Sequence, residues 1–178
     1  MTIDVIKASL PACAKDLRLN LEAVLSEAGA PGLSGKQIAA VALASAIAAR
    51  HAPLTRAVES FAAATLDSTE IDGVRAAAAI MGMTNIYYRF THLVSDPDYQ
   101  TLRTSLRMNV MANPGIDKAS FEAASLAASI VNGCGACIDS HEKVLRQHGL
   151  TAQGVQSIAR IAAVMHAVAV TLEQNVAA

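Results

Sequence analysis

The chain has 178 residues, of which 53% are apolar, and a net charge of −1 from 14 Lys and Arg against 15 Asp and Glu. This length and apolar content allow one sizeable core but leave little room for two, so we expect a single domain over residues 1–178. Neither charge sign forms a long run. The composition therefore argues against a nucleic-acid-binding surface or a polybasic membrane surface.

The N-terminal segment lacks the features of a targeting sequence. It carries Asp4 and has no long apolar stretch of the kind that a secretory signal requires, so we expect a cytoplasmic protein. The longest apolar stretch, residues 38–49, is well short of the ~20 residues that a transmembrane helix needs. We interpret this stretch as a core helix and expect no membrane association.

The composition favours closely packed helices, because alanine is abundant, aromatic residues make up 3% of the chain and tryptophan is absent. Helix start signals recur, and no region shows the period-two alternation of a strand. The start signals are Pro11, Ser34 with Gln37, then Ser68, Thr69 or Asp72, and Asp117. We therefore predict an all-α fold of about seven or eight helices.

The C-terminal half is predicted to contain three helices. The first runs from about Asp117 to Val131 and is interrupted by Asn132-Gly133. The second runs from near Cys134 to His148 and stops at Gly149, a residue type that commonly follows a helix end. Thr151 then caps a final apolar helix that extends to about Gln174.

A weak internal repeat occurs at an offset of 83 residues, where residues 43–47 align with residues 126–130. The first copy would lack the reactive side chains that the second copy carries. In this register His51, Leu54, Val58 and Ala39 stand at the positions of Cys134, Cys137, His141 and Glu122. Chance matches are easy in an alanine-rich chain, so the pattern leaves a duplicated helical unit open.

Cys134, Cys137 and His141 carry the strongest chemical signal. Their spacings of i+3, i+4 and i+7 place them along one stripe of a helix. Cys134 lies at the helix start, where free backbone N–H groups and the helix dipole favour a thiolate. A second cysteine three residues on can attack a sulfenic acid or a mixed disulfide, and His141 can shuttle a proton.

The other candidates carry weaker signals. Glu122 lies on an otherwise small and apolar helix face, where a buried carboxylate needs a partner or a raised pKa; the alternative is a helix-start acid favoured by the dipole. Cys13 is distant from any histidine in the sequence, and we interpret it as a core residue. We interpret Met81-Gly82-Met83 as a site of tight helix packing. His51, His92, His148 and His166 are interpreted as structural or solvated histidines.

Residues 122–141, which read E-x₁₁-C-G-A-C-x₃-H, resemble the alkylhydroperoxidase D (AhpD) family, a relative of the carboxymuconolactone decarboxylases. The resemblance covers almost the whole chain and includes residues 10–16, 79–83 and 106–115. These segments are more specific than the Cys-x-x-Cys motif alone.

The resemblance implies an all-α fold built from a duplicated helical unit and assembled as a homotrimer. It also implies an antioxidant peroxidase that reduces hydrogen peroxide and alkyl hydroperoxides, without a bound cofactor or metal, using dihydrolipoamide as electron donor. The implied partners are a peroxiredoxin (alkyl hydroperoxide reductase C), a lipoylated acyltransferase and dihydrolipoamide dehydrogenase.

The resemblance also implies residue roles. Cys137 would become the sulfenic acid, Cys134 would be the proton donor and resolving thiol that closes a redox disulfide, and Glu122 and His141 would form a proton relay. The helix-dipole argument differs, because it favours Cys134 as the more acidic thiol. Some family members carry a histidine between the cysteines where this chain has Ala136, a departure that bears on catalytic rate rather than on reaction type.

Several alternatives remain open at the level of sequence. Cys134, Cys137 and His141 could bind zinc with Glu122 or His148 as a fourth ligand, or the cysteines could be inert core residues. A thioredoxin-like disulfide oxidoreductase would require a βαβ sheet, which the helical pattern opposes. A redox-sensing scaffold is a non-enzymatic alternative. A decarboxylase is the least favoured, because it would leave the cysteines without a purpose.

Overall fold

The computed structural model describes residues 1–174, and every regular element within them is helical. Eight helices have seven residues or more, and α6 is a single turn. The α-helices are α1 Ile3–Ser9, α2 Lys15–Val24, α3 Gly35–Ala48, α4 Ala52–Ala62, α5 Ser68–Leu93, α6 Asp98–Thr101, α7 Lys118–Asn132, α8 Gly135–Gln147 and α9 Ala152–Glu173. The all-α prediction is confirmed. Residues 1–174 contain no βαβ unit of the kind that a thioredoxin fold requires.

Side-chain caps begin the helices where the sequence indicated. The Ser34 Oγ accepts the Gln37 backbone N–H at 3.3 Å, and the Gln37 side chain accepts the Ser34 N–H at 3.0 Å, which completes a capping box before α3. Asp117 caps α7 by accepting the Ser120 N–H at 2.9 Å. Thr151 caps α9 in the same way.

Two helix starts differ from the prediction. The cap of α5 is Asp67, which forms a capping box with Glu70, rather than Ser68, Thr69 or Asp72. Several adjacent residues of this segment have side chains that can cap, and the reciprocal bond from Glu70 favours Asp67. The additional helix α1 follows Thr2, and Pro11 precedes a 3₁₀ turn, Ala12–Ala14, that leads into α2.

Helices α3 and α7 pack against each other at the centre of the fold. Residues 38–46 of α3 and residues 120–129 of α7 are buried without interruption. Most of these side chains are small, so neighbouring helices can pack around both on all sides. The interpretation of residues 38–49 as a core helix is therefore confirmed.

The helix boundaries repeat along the chain. Helices α3, α4 and α5 begin at residues 35, 52 and 68, and α7, α8 and α9 begin at residues 118, 135 and 152, which gives offsets of 83, 83 and 84 residues. The turn between the first two helices of each unit contains a left-handed residue, Arg50 with φ 62° and Gly133 with φ 69°. The structure thus has the duplicated helical unit that the sequence left open.

Helix α9 is apolar enough, by length and composition, to cross a membrane. It has 22 residues, and its most apolar window has a mean hydropathy of 1.5. Half of that window is buried, and α9 packs against α2, α3 and α7. Packing in the core is sufficient to explain its composition.

Two glycines of α5 have opposite surroundings. A Cβ on Gly73 would lie 2.5 Å from the Pro114 carbonyl oxygen and 2.9 Å from the Ile116 Cγ2, so α5 closely approaches the segment before α7 at this point. A Cβ on Gly82 would meet no atom of residues 1–174 within 4 Å. The interpretation of Met81-Gly82-Met83 as tight packing is therefore wrong at its glycine, because Gly82 lies on the exposed side of α5.

We predict opposite stability effects for alanine at these two sites. Gly73→Ala should lower the free energy of unfolding by about 1–3 kcal/mol, because backbone atoms must move to make room. Gly82→Ala should raise it by about 0.5–1 kcal/mol, because no atom of the same chain would contact the added methyl group and alanine is the better helix former. Urea unfolding followed by circular dichroism measures both values, and a stabilised Gly73→Ala variant would contradict the packing described here.

Candidate active site

Helices α7 and α8 bring Glu122 and His141 into direct contact. Gly133 ends α7 in a left-handed conformation, so α8 folds back along α7. The Glu122 Oε2 lies 2.7 Å from the His141 Nδ1, and both side chains are buried. A carboxylate and an imidazole at this distance form a strong hydrogen bond in a site that excludes most water.

Glu122 has a second partner in Lys118, whose Nζ lies 2.7 Å from the Glu122 Oε1. Burial by itself raises the pKa of Glu122, but the hydrogen bonds and charges of His141 and Lys118 outweigh burial and hold that pKa below its usual value of 4.5. Glu122 is therefore ionised at neutral pH. Sequence reasoning did not single out Lys118, although its i,i+4 spacing to Glu122 is a signal for such a pair.

The ionised Glu122 orients the His141 ring. Because an ionised carboxylate only accepts hydrogen bonds, the Nδ1 of His141 donates to Glu122, and Nε2 is the ring nitrogen that remains for other partners. Nε2 points away from Glu122 toward α5, where it lies 3.2 Å from the Met81 Sδ. Any proton exchange at His141 would therefore use Nε2, on the side away from the carboxylate.

The two cysteines of α8 differ in access. Both are free thiols; Cys134 is the N-cap residue and is completely buried, whereas Cys137 is 6% exposed. Cys137, not Cys134, lines the cavity next to His141. A small molecule that enters the cavity therefore meets the Cys137 sulfur first.

The surroundings of Cys137 favour its protonated form. Burial, followed by the hydrogen bond and charge of Cys134, raises the pKa of Cys137 to about 12, and a hydrogen bond from the Asn85 amide opposes the rise. The resting group at neutral pH is therefore a thiol. Since the thiolate is the nucleophile, reaction at Cys137 requires a nearby group that accepts its proton.

The cavity beside Cys137 has a volume of about 380 Å³ and is mainly apolar. It lies between α5, α8 and the segment containing the 3₁₀ turn Asn109–Ala112. Its lining residues are Met81, Thr84, Tyr88, Met108, Met111, Ala136, Cys137, Ser140 and His141. Of the four residues predicted for the site, Cys137 and His141 form its wall, and Glu122 contacts His141 from behind.

A polar network that sequence reasoning missed connects α5 to α7 behind the cavity. The Asn85 Nδ2 donates to the Ser129 Oγ at 2.9 Å, and the Ser129 Oγ lies 3.4 Å from the Met81 Sδ. The Asn132 Nδ2 donates to the Asn85 Oδ1 at 3.0 Å. No local pattern indicates these pairs, because their members lie on different helices.

The zinc alternative finds little support in the geometry. Within residues 1–174, no group of three or more His, Cys, Asp or Glu side chains is arranged to hold a metal ion. The Nδ1 of His141 is already bonded to Glu122, and His148 is exposed at the end of α8.

The remaining thiol and histidines lie outside the site. Cys13 is exposed in the 3₁₀ turn before α2, so its interpretation as a core residue is wrong; the turn leaves its side chain outside the core. His51 is buried as the cap of α4, where its Nδ1 accepts the Leu54 N–H at 3.1 Å. His92 and His166 are exposed.

The fold and the site together define a helical protein class with a Cys-x-x-Cys pair at the start of one helix and a buried Glu–His pair beside it. Residues 97–175 match the family model described as the carboxymuconolactone decarboxylase family. The chain is also 48% identical over 177 residues to "Alkyl hydroperoxide reductase AhpD" of Rhodopseudomonas palustris (strain BisA53), covering 99% of this chain and 96% of the relative.

Further relatives carry the same description. The protein of Brucella suis is 46% identical over 173 residues, with 97% of each chain covered. That of Coxiella burnetii (strain Dugway 5J108-111) is 50% identical over 167 residues, with 94% of each chain covered. The chain therefore belongs to the AhpD family, as its sequence resemblance predicted.

The lowered pKa of Glu122 makes a pH-dependent contribution to stability. A carboxyl group with a lower pKa in the folded state stabilises the fold above its unfolded pKa, and this contribution is lost as the pH falls through the folded pKa. We predict that Glu122→Gln lowers the free energy of unfolding by about 1.5–3 kcal/mol at neutral pH. The difference from wild type should shrink as the pH falls below the usual value of 4.5. Urea unfolding of the wild type and of Glu122→Gln at several pH values measures this difference in the free energy of unfolding.

Glu142→Gln is the matched control, because Glu142 lies on α8 next to His141 and makes an exposed ion pair with Arg146 at 3.8 Å. Exposed ion pairs contribute little to the free energy of unfolding, so Glu142→Gln should lower it less at neutral pH than Glu122→Gln does. A Glu122→Gln difference that does not change with pH would argue against an ionised, stabilising Glu122.

Proposed function

We propose that this chain is an antioxidant thiol peroxidase, an alkyl hydroperoxide reductase of the AhpD type, that reduces hydrogen peroxide and alkyl hydroperoxides. One observation carries the proposal: the Cys137 thiol opens into an apolar cavity beside His141, which is hydrogen-bonded to the buried Glu122. The description of the relatives as alkyl hydroperoxide reductases supports the same reaction class.

In the first step, Cys137 attacks the peroxide. The His141 Nε2 accepts the thiol proton, directly or through a water molecule, and Glu122 stabilises the resulting imidazolium. The thiolate then attacks one peroxide oxygen, the O–O bond breaks, and the leaving alkoxide takes the proton from His141 to become an alcohol. The sulfur is oxidised to sulfenic acid as the peroxide is reduced.

In the second step, Cys134 resolves the sulfenic acid. Its sulfur attacks the Cys137 sulfur, the S–O bond breaks, and the hydroxide leaves as water with the proton of the Cys134 thiol. Dihydrolipoamide then reduces the Cys134–Cys137 disulfide through a mixed disulfide and leaves as the cyclic disulfide lipoamide. We assign attack to Cys137 because it contacts the cavity, whereas Cys134 is completely buried. We give the access of Cys137 to the cavity more weight than the helix-dipole argument, which favours Cys134.

The proposal extends to the electron-transfer chain. Dihydrolipoamide would arrive on a lipoylated acyltransferase and be regenerated by dihydrolipoamide dehydrogenase, and the protein would also reduce a peroxiredoxin (alkyl hydroperoxide reductase C) in the cytoplasm. The mainly apolar cavity suits both an alkyl chain and the hydrocarbon part of lipoamide. No bound cofactor is required, since the two thiols exchange the electrons.

We also propose a homotrimer. Ile86, Phe90 and Leu93 lie on one face of α5 at i, i+4 and i+7, and all three are exposed in the single chain. An apolar stripe of this kind commonly marks a contact surface. This exposed stripe supports assembly, and sedimentation analysis would give the number of subunits.

The proposed activity predicts a preference among electron donors. An alkyl hydroperoxide should be turned over with NADH, dihydrolipoamide dehydrogenase and lipoamide, and more slowly with thioredoxin, thioredoxin reductase and NADPH. Consumption of the nicotinamide cofactor measures both rates. Cys137→Ser should reduce the rate to background because it removes the nucleophile.

Cys13→Ser is the matched control and should keep the wild-type rate, because Cys13 is exposed in a turn outside the site. Equal or faster turnover with thioredoxin would contradict the lipoyl dependence. Absence of peroxide turnover with either donor would contradict the proposed function itself.

Glu122 and His141 should behave as one relay. We predict that Glu122→Gln and His141→Gln each reduce turnover by about 10²–10⁴ at neutral pH, the usual contribution of a positioned proton-transfer group. Because both serve the same transfer, the double variant should lose much less than the product of the single losses. Steady-state kinetics measure this, with thiol titration and circular dichroism to verify that both thiols and the fold are intact. Multiplicative losses would instead assign the two residues to separate roles.

A further inference from the structure

A second cavity adjoins the one beside Cys137. It has a volume of about 610 Å³ and is lined by residues 103–109, a segment that leads from α6 to the 3₁₀ turn Asn109–Ala112. Met108 lines both cavities, so the two spaces adjoin at this residue. The mechanism above assigns no role to the second cavity.

The two cavities differ in chemical character. The cavity beside Cys137 is mainly apolar, whereas the second is mainly polar and carries two arginines, Arg103 and Arg107. Among residues 1–174, no acidic side chain lines the second cavity, and neither arginine forms an ion pair. A guanidinium group binds a carboxylate through paired N–H donors, so two such groups at one cavity favour an anionic ligand.

The backbone bends between the two arginines. Ser105, midway between them, has φ 53°, a left-handed conformation that is uncommon for residues other than glycine. The acids that precede the segment do not neutralise it: the Asp96 Oδ1 accepts the Asp98 N–H at 3.0 Å at the start of α6, and neither side chain lines the cavity. An unfavourable backbone conformation that accompanies an unpaired charge cluster points to a binding role.

A ligand that occupied both cavities would need two different parts. Its apolar part would lie against Met81, Met108 and Met111 beside the Cys137 sulfur, where burial of hydrocarbon favours binding. Its anionic part would lie beyond Met108, within reach of the guanidinium groups. The order of the two cavities thus matches an amphipathic acid whose reactive group is on the hydrocarbon side.

We infer that Arg103 and Arg107 form a subsite for the carboxylate of the substrate, so that the substrates of this site are hydroperoxides of amphipathic carboxylic acids. The inference rests on the proposed function in taking the reacting group as a hydroperoxide at Cys137. It goes beyond that function by adding a charge requirement at the far end of the substrate. Two merely solvated arginines would give no preference between an acid and its neutral analogue.

The first test measures binding without peroxide. Octanoate and 1-octanol have the same chain length, but only octanoate is charged, and calorimetric titration of the reduced full-length protein at low salt gives the Kd of each. Arg103→Gln and Arg107→Gln should each raise the octanoate Kd by about 2- to 5-fold, the usual effect of an exposed ion pair, and the double variant by about the product of the two. The octanol Kd should not change. An unchanged octanoate Kd in the double variant, or no binding of octanoate to the wild type, would overturn the proposal.

Two further variants separate a subsite from a general charge effect. Arg56→Gln is the matched control, because Arg56 is an exposed arginine of α4 that lines neither cavity, and it should leave the octanoate Kd unchanged. Arg107→Lys keeps the positive charge and should retain most of the affinity. A rise in Kd for Arg56→Gln equal to that of the cavity variants would assign the effect to net charge and overturn the proposal. Circular dichroism verifies the fold of each variant.

The second test measures turnover of a carboxylate-bearing alkyl hydroperoxide and of its methyl ester, with lipoamide as electron carrier. The Arg103→Gln, Arg107→Gln double variant should raise KM for the acid severalfold, keep kcat, and leave KM for the ester unchanged. Unchanged KM for the acid, with slower reduction only by protein-bound lipoamide, would assign the arginines to a carboxylate of a protein partner and overturn the proposal. If neither hydroperoxide is turned over, the proposed function fails, whereas octanoate binding still decides whether the subsite exists.

Discussion

The contact between Glu122 and His141 is the interaction on which the site depends. Glu122 lies in the buried part of α7, a central helix of the fold, where an ionised carboxylate requires cationic or hydrogen-bonding partners. Lys118 supplies one partner from the same helix, and His141 supplies the other from α8. The second contact forms only if α8 folds back at Gly133, and this same fold-back turns Cys137 toward α5 and its cavity.

Features encoded within a few residues could be predicted from the sequence. The caps at Ser34, Asp117 and Thr151 are side-chain to backbone hydrogen bonds over three residues, so their residue types are visible directly. The common stripe of Cys137 and His141 follows from helical spacing alone. Prediction was less accurate where several neighbouring residues could serve equally, as at the start of α5.

Features that depend on packing between distant helices could not be predicted. Asn85 meets Ser129 across 44 residues of sequence, and Met81 meets His141 across 60. Residues 79–83 contribute to the family resemblance, but the local sequence does not indicate which distant side chains Met81 and Asn85 contact. The exposure of Cys13 had the same origin, because a free cysteine is usually buried and only the tertiary structure places its turn at the surface.

The duplicated unit places different residues at corresponding helix starts in the two halves of the chain. In the first unit, His51 caps α4 through its Nδ1, which accepts the Leu54 N–H. In the second unit the corresponding cap residue of α8 is Cys134, whose side chain makes no capping bond. A side-chain cap typically stabilises a helix by about 1 kcal/mol, so α8 begins without a contribution that α4 retains. The side chain of Cys134 therefore has no capping role at the start of α8, and in the proposed cycle it is the group that reacts with Cys137.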